Sequence, residues 1–397
     1  MKTKFIKTLV FCLLFFKPLT ASTVTLNDLL DNAQQPQQIQ KAIEASSLAL
    51  ESKNLADTQT TPLTFEHALS RSSSKILSGF EYEFGFSKEL KLGNIQKLEQ
   101  QQIRLNNEAQ TIEQEKYLIA LSNRLKNSYH QYCLDSHYIQ AFQEKYQRFS
   151  LLYSKKKMAY KHDEIAKTEL LQLELEKDKL KSELQNFNQK VEDEKHQLLS
   201  LSGFMEEDFI SCQEVYPIKE HVLSDDNDFS LTQKVFEKQI ESRQVGLKRY
   251  SHKIESVELS MGYLKELERD VYTVSLSVPL SFSSRQSEYE RASLMHETSA
   301  LTFQNEQVVA QKEYKINVLK NKLRRNFQAI ESTQKSIEQY TNLLLPLMKK
   351  SYDYGESSVV EYLLSQQQLS QQEEKLLEEK KGYYETLFIL YQLSEKR

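Results

Sequence analysis

The chain has 397 residues but only 8 Gly and 6 Pro. Such a composition is typical of long helices, so the few helix-breaking residues mark the segments that are not helical. The formal net charge is −4, and a chain with an excess of acidic residues is poorly suited to nucleic acid, which is bound through Lys and Arg.

The first 21 residues have the features of a secretory signal peptide. Lys2, Lys4 and Lys7 give a basic start, Leu9–Phe16 is an unbroken apolar run, and Leu19-Thr20-Ala21 ends in a small residue. The apolar run is far shorter than the ~20 residues that a membrane-spanning helix needs. We therefore predict an exported protein whose mature chain begins at residue 22.

Alternation of apolar and polar residues predicts two β-hairpins, one at about residues 61–92 and one at about 255–282. Ten-residue alternation with aromatic residues on one face is typical of a transmembrane strand, although a half-buried soluble sheet gives the same pattern. Export, together with four strands that are too few to close a sheet in one chain, favours the transmembrane interpretation. The residues expected to face lipid are Phe80, Tyr82, Phe84, Tyr272, Leu276 and Leu280, and those expected to face a lumen are Glu81, Glu83, Ser275 and Ser277.

A long helical segment follows each predicted hairpin. Gly93–Asp163 and Arg285–Gly355 have apolar residues at three- and four-residue spacing, which is typical of coiled-coil packing, and each would be roughly 100 Å long if helical throughout. Pro346 is expected to distort the second of these helices, and Lys155–Lys157 is expected to be a solvated helix face. Antiparallel return helices are predicted over about 164–201 and 356–393, and a further pair of helices, about 26–57 and 228–254, leads into the hairpins.

The two halves of the chain are copies of one another. Tyr160–Leu171 reappears as Tyr352–Leu363, and Leu198–Ser202 reappears as Leu390–Ser394, both at an offset of 192 residues. Upstream, Phe86–Leu92 pairs with Leu276–Phe282 at an offset of 190. A nearly constant offset over more than a hundred residues indicates a duplicated unit. The predicted organisation is a signal peptide (1–21), a first repeat (22–203), a linker (204–228) and a second repeat (229–397).

One group of potential metal ligands occurs in the first long helix. His130, Cys133 and His137 lie at i, i+3 and i+7, so their side chains share a helix face that could bind Zn or Cu. We favour ordinary helix-interface residues, because no acidic group or further motif supports a metal site. The motifs of nucleotide binding, nucleophilic hydrolysis and zinc proteolysis are absent from the sequence, so we expect neither a cofactor nor an enzymatic activity.

Two cysteines remain after removal of the signal peptide. Cys133 lies in the long helix and Cys212 lies in the linker. A disulfide is conceivable in an oxidising compartment, but it requires Cα atoms within about 7 Å of each other. The sequence places the two residues in different kinds of segment, so we expect them to remain unpaired.

The order of these segments resembles the TolC-like outer-membrane factor family, the outer-membrane efflux proteins. The matching pieces are Ser277–Phe282 before the second long helix and Pro346 followed by Tyr352–Leu363. Ser283-Ser284 stands where the family usually has a Gly pair, and Asp163 stands where Gly is usual. The resemblance implies a mainly α fold with a small β part, in which duplicated helical hairpins form a trimeric α-barrel and four strands per chain complete a 12-stranded transmembrane β-barrel.

The resemblance also implies a function and partners. A homotrimer in the outer membrane of a Gram-negative bacterium, with its helices in the periplasm, would be the exit duct of a tripartite efflux or type I secretion system. It would receive substrate from an inner-membrane pump of RND or ABC type through a periplasmic adaptor (membrane fusion) protein. The alternative is a periplasmic coiled-coil scaffold or adaptor without a transmembrane barrel, which would share the signal peptide and the helical hairpins.

Specific residues carry the implied functions. The adaptor would dock on the turns at Asp163-Glu164 and Gly355-Glu356. A gate would be held shut by a bond between Tyr352 and Glu169, with Glu361 lining the aperture. Ser357 and Leu364 replace a basic residue and an acid that the family often has at these positions, which implies a weaker latch.

Overall fold

The computed structural model describes residues 23–34, 45, 47–49, 51–52, 61–73, 78–204, 209–220, 229–252, 254–279 and 285–396. The predicted signal peptide, Leu280, most of the predicted 26–57 helix and parts of the linker lie outside these residues. The chain folds into two compact units. The first, the helical unit, takes its described residues from 1–37, 119–225 and 316–397, and the second, the sheet unit, takes them from 38–118 and 226–315.

The helices and strands follow the predicted order. The helices are α1 (Leu26–Gln34), α2 (Ile95–Lys161), α3 (Lys167–Ser202), α4 (Ser230–Arg249), α5 (Gln286–Gln339), α6 (Leu345–Asp353) and α7 (Val359–Leu393), with a π-helical segment, Tyr340–Leu344, between α5 and α6. The strands are β1 (Thr23–Val24), β2 (Thr64–Ser73), β3 (Ser78–Lys91), β4 (Phe209–Ile210), β5 (Ser256–Lys265) and β6 (Asp270–Ser277). Among the described residues, no helix combines the length and the apolar character that a membrane-spanning helix needs.

Both long helical segments and both return helices are confirmed. The first long helix, α2, has 67 residues and is unbroken. The second is interrupted only by the π-helical segment Tyr340–Leu344, which directly precedes α6 and its Pro346. Pro346 has no N–H, and its ring would clash with the carbonyl of Asn342 in a regular α-helix. The wider π turn relieves this clash, so the predicted distortion is present.

The two predicted hairpins join into one antiparallel sheet in the sheet unit. Its strand order is β2-β3-β5-β6. The hairpins meet along β3 and β5, from the pair Tyr82 and Lys265 to the pair Lys91 and Ser256. Strands β2 and β6 are therefore the two edges of the sheet.

The inter-repeat segment 209–220 packs against the core of the helical unit. Strand β4 pairs in parallel with β1, and the Tyr129 hydroxyl donates to the Ser211 carbonyl oxygen at 2.5 Å. These contacts bring Cys212 to α2, where it forms a disulfide with Cys133 at a Cα–Cα distance of 5.5 Å. The expectation that the cysteines remain unpaired was wrong, because the linker folds back onto the helix rather than running past it.

His130 also binds the segment 209–220, through a hydrogen bond made inside the core. The side chain is fully buried. Its Nε2 accepts the Tyr216 N–H at 2.9 Å, and its Nδ1 lies 2.6 Å from the Lys126 carbonyl oxygen. This arrangement requires the neutral imidazole with the proton on Nδ1, and burial lowers the pKa of His130 to about 4.

The proposed metal ligands have other roles in the helical unit. The Cys133 sulfur is bonded to Cys212, so it offers no thiolate. Both nitrogens of His130 are engaged, and His137 is exposed. Within the part of the chain that the structure describes, no group of three or more His, Cys, Asp or Glu residues is arranged to hold a metal ion.

Candidate functional site

One face of the four-stranded sheet is apolar and exposed. The register aligns Phe84 with Tyr263 and Tyr272, and it aligns Phe86 with Met261. The side chain of Tyr272 is 78% exposed and that of Leu276 is 63% exposed. The residues predicted to face lipid that lie in described strands all belong to this face, namely Phe80, Tyr82, Phe84, Tyr272 and Leu276, whereas Leu280 lies outside the described residues.

The opposite face of the sheet is polar. Its side chains include the four residues predicted to face a lumen, which are Glu81, Glu83, Ser275 and Ser277. The Ser260 and Ser275 hydroxyl oxygens lie 2.6 Å apart on this face. The apolar face has charged residues only near the ends of the described strands: Arg71, Lys88, Lys265 and Asp270. Long basic side chains in such positions can extend towards water, so the middle of the apolar face is suited to a non-aqueous environment.

The turns that end the two helical hairpins have a backbone hydrogen bond in common at the offset of 192 residues. Glu164 N–H donates to the Ala159 carbonyl oxygen at 3.0 Å, and Glu356 N–H donates to that of Ser351 at 2.9 Å. The residue directly before the glutamate has a left-handed backbone conformation in both turns, with φ 57° at Asp163 and φ 75° at Gly355. Asp is one of the few residues besides Gly that tolerates this conformation. The duplication therefore extends to this hydrogen bond and to the left-handed residue before it, although Asp replaces Gly in the first turn.

Tyr352 connects the second helical hairpin to the first. Its hydroxyl donates to Glu169 Oε1 at 2.5 Å, across 183 residues of sequence. Burial raises the pKa of the Tyr352 hydroxyl, and the bond to the Glu169 carboxylate raises it further, so the tyrosine remains the proton donor. A hydrogen bond to a charged acceptor is stronger than a neutral one. We call the contact of Tyr352 with Glu169 the latch.

The latch rests on an apolar cluster that both hairpins build. The Tyr352 ring stacks on Tyr362 with the centroids 5.1 Å apart and the planes 9° apart. Tyr352 is only 6% exposed. The buried members of the cluster are Phe142, Phe149, Tyr153, Leu173, Leu180, Tyr352, Val359 and Tyr362. The Tyr352 ring is thus held in place by packing, and its hydroxyl is directed at the Glu169 carboxylate.

Comparison with solved structures identifies the fold. No protein-family model matches the sequence, and no curated protein does either. The structure is similar to CusC, described as forming a transmembrane channel, with a TM-score of 0.77 and 14% identity over 94% of this chain and 92% of that one. It is also similar to the CmeC outer membrane channel of Campylobacter jejuni, with a TM-score of 0.74 and 12% identity over 93% of this chain and 85% of CmeC. The open state of the Neisseria gonorrhoeae MtrE outer membrane channel gives a TM-score of 0.71 and 13% identity, over 94% of this chain and 89% of MtrE.

The chain has the TolC-like outer-membrane factor fold. The predicted fold class is confirmed in its coarse form, a mainly helical chain with a small β part and duplicated long helical hairpins. The contact between Tyr352 and Glu169 that the family resemblance implied is present in the structure.

Glu361 has a local structural role at the start of α7. Its carboxylate accepts the Ser358 backbone N–H at 2.8 Å and the Ser358 hydroxyl at 3.2 Å. Ser358 Oγ in return accepts the Glu361 N–H at 3.3 Å, which completes a capping box at the start of α7. By contrast, the N-cap residue of α3 is Ala166, which offers no side-chain cap. Any contribution of Glu361 to an aperture is therefore made by a carboxylate that is already held by its own helix.

The sequence analysis missed Lys156 as a member of this site. Its Nζ lies 3.5 Å from Glu169 Oε1, so the expectation that the whole run Lys155–Lys157 is a solvated face was wrong for its middle residue. A signal was available, because Tyr153, Lys156 and Tyr160 recur at spacings of three and four and hence share one face of α2. Comparison of the two repeats does not reveal this pattern, because Met348 is the counterpart of Lys156 in the second half.

Proposed function

We propose that this chain is an outer-membrane channel, the exit duct of a tripartite efflux or type I secretion system in a Gram-negative bacterium. The observation that carries the proposal is the sheet with one exposed apolar face, in a chain whose fold matches that of channel proteins over 93–94% of its length. The duct moves substrate without making or breaking a covalent bond, so the protein is not an enzyme and needs no cofactor. An inner-membrane pump of RND or ABC type would supply the substrate.

In a homotrimer, the edge strands of the sheet could pair with those of neighbouring chains. In a single chain β2 and β6 are edges, and unpaired edges of this length are an aggregation hazard. Three copies that pair β6 of one chain with β2 of the next would form a closed sheet of 12 strands. Closure satisfies the backbone hydrogen bonds that lipid cannot satisfy, with the apolar face towards lipid and the polar face towards the lumen.

Fractionation of cell membranes tests this assignment. We expect the protein in the outer-membrane fraction of a sucrose gradient, with heat-modifiable migration on a gel, because a closed barrel resists detergent until it is heated. Purified protein should form conducting channels in planar bilayers. A soluble periplasmic protein that lacks both properties would support the alternative, a coiled-coil scaffold or adaptor, and would contradict the channel.

The periplasmic adaptor is proposed to dock on the turns Asp163-Glu164 and Gly355-Glu356. These turns end the two helical hairpins, and Glu164 and Glu356 are exposed. Gly355 has no side chain within 4 Å of the place where a Cβ would stand, so a partner backbone can approach closely there.

Site-specific crosslinkers placed at Glu164 and Glu356 should capture the adaptor in cells. The expected product is a crosslinked species that contains both proteins and requires expression of the adaptor. A crosslinker at Thr64 on β2, within the sheet unit, is the control and should give no such species. Capture at Thr64 but at neither turn would reverse the proposed orientation.

The latch is proposed to hold the periplasmic end of the duct closed. Tyr352→Phe combined with Glu169→Gln removes the charge-assisted hydrogen bond but preserves the size of both side chains. We expect a higher single-channel conductance in planar bilayers, because a bond between the two hairpins is lost.

Glu361→Gln should lower cation selectivity in the same planar-bilayer recordings. Gln can keep the capping box, while the negative charge that attracts cations is removed.

The matched control for the latch is Tyr354→Phe combined with Glu164→Gln. It makes the same chemical changes at exposed residues of the same two hairpins, and its conductance should equal that of the wild type. Equal conductance of the latch variant and this control would remove the latch from the proposed mechanism but would leave the channel assignment intact.

A further inference from the structure

Lys156 contacts both members of the latch. Its Nζ lies 3.5 Å from Glu169 Oε1, and it lies 4.2 Å from the centroid of the Tyr352 ring. The Tyr352 hydroxyl bonds to the same Glu169 oxygen. Each of the three side chains therefore touches the other two, and they come from α2, α3 and α6.

Partial burial makes these contacts stronger than those of an exposed ion pair. The side chains of Lys156 and Glu169 are each 22% exposed, whereas Lys155 and Lys157 on either side of Lys156 are exposed. The Tyr352 ring contacts both the Lys156 ammonium and the Tyr362 ring. A cation over an aromatic face is attracted more strongly when water is partly excluded.

The basic group of the latch comes from a position where the family resemblance does not place it. Ser357 occupies the position at which a basic residue was expected, and its hydroxyl is buried with no hydrogen-bond partner in the described part of the chain. Ser357 therefore gives the Glu169 carboxylate no support. Among the residues that the structure describes, Lys156 is the one basic group recorded in an ion pair with Glu169. Loss of that partner is unfavourable for a carboxylate that is largely removed from water.

We propose that Lys156 is the positioning cation of the latch, which holds the Glu169 carboxylate where Tyr352 can donate to it. The proposal rests on the proposed channel function and adds to it the regulation of the closed state. The closed state then depends on three residues of one chain. Separation of the hairpins breaks a cation–π contact as well as a hydrogen bond, whereas the ion pair of Lys156 with Glu169 lies within the first hairpin. The expectation of a weakened latch, based on Ser357, is replaced by a latch reinforced from α2.

The test uses the full-length protein in planar bilayers with Lys156→Gln, Lys156→Arg and the matched control Lys155→Gln. Lys156→Gln is expected to raise the ratio of open to closed channels by about five-fold, the effect of losing one favourable charge contact. Lys156→Arg should restore the wild-type ratio, and Lys155→Gln should not change it. The difference between wild type and Lys156→Gln should also decrease at high salt, because salt screens the partly exposed pair.

A combined variant separates positioning from general destabilisation. Lys156→Gln added to Tyr352→Phe with Glu169→Gln should cause no further opening, because residues of one network are not additive. Lys156→Met keeps the stem that packs on Tyr352 but lacks the charge, and it replaces Lys156→Gln if that variant does not assemble. Suppose that Lys156→Gln and Lys156→Met both keep the wild-type ratio of open to closed channels while the Tyr352/Glu169 double variant opens. That result would overturn the role of Lys156 but would leave the latch of Tyr352 and Glu169 in place. Failure of the wild type to form channels would overturn the proposed function instead.

Discussion

Replacing Leu276 with Arg is expected to prevent assembly of the protein in membranes, whereas replacing the adjacent Ser275 with Arg is expected to be tolerated. Leu276 lies on the apolar face and is 63% exposed in the single chain, and Ser275 lies on the polar face next to Ser260. An Arg that faces lipid near the bilayer midplane costs about 2–4 kcal/mol. In a homotrimer the cost applies three times, roughly 6–12 kcal/mol, which is comparable to the whole stability of many folded proteins.

The measurement is the amount of heat-modifiable oligomer in the outer-membrane fraction. The pair is well matched, because the two variants gain the same side chain at neighbouring residues of one strand and differ only in the face that carries it. Equal tolerance of both variants would contradict a lipid-facing role of the apolar face. A deficit larger for Ser275→Arg than for Leu276→Arg would invert the assignment of the two faces.

Removal of the disulfide by Cys133→Ala with Cys212→Ala is expected to destabilise the helical unit by about 4 kcal/mol, since the bridge closes a loop across a sequence separation of 79 residues. The loss is entropic in the simplest account, because the unfolded chain is no longer constrained. Ala is preferred to Ser at this position, since the Cys133 side chain is fully buried and a new hydroxyl there would need a hydrogen-bond partner.

Thermal unfolding followed by the helical circular dichroism signal is the measurement, with and without reductant. Reduced wild type should unfold at the same temperature as the double variant, several degrees below oxidised wild type, and reductant should not affect the variant. Proteolysis in the segment 209–220 should also become faster, because the disulfide fastens it to α2. Identical unfolding of oxidised wild type and variant would show that β4 pairing, Tyr129 and His130 hold the segment without the bridge.

Element types and their order could be predicted from the sequence because they depend on local periodicity. The period of two in β3 and β6 separates apolar from polar faces wherever the strands pair, and the three- and four-residue spacing in α2 and α5 specifies helices of great length. Pro346 distorts its helix through its own missing N–H. The offset of 192 residues likewise predicted that the two turns are alike, and the bond from Glu164 to Ala159 recurs as the bond from Glu356 to Ser351.

Contacts between distant parts of the chain were decided by the tertiary structure. Cys133 and Cys212 meet because β4 pairs with β1 and turns the linker back onto α2, a path that neither cysteine encodes locally. Lys156 is one of three consecutive lysines, and only the packing of α2 against α3 and α6 distinguishes it from its neighbours. The bond from Tyr352 to Glu169 was implied by family resemblance and not by spacing, because 183 residues separate the two side chains. Periodicity specifies which face of a helix is buried, but the partner on that face depends on how the helices pack together.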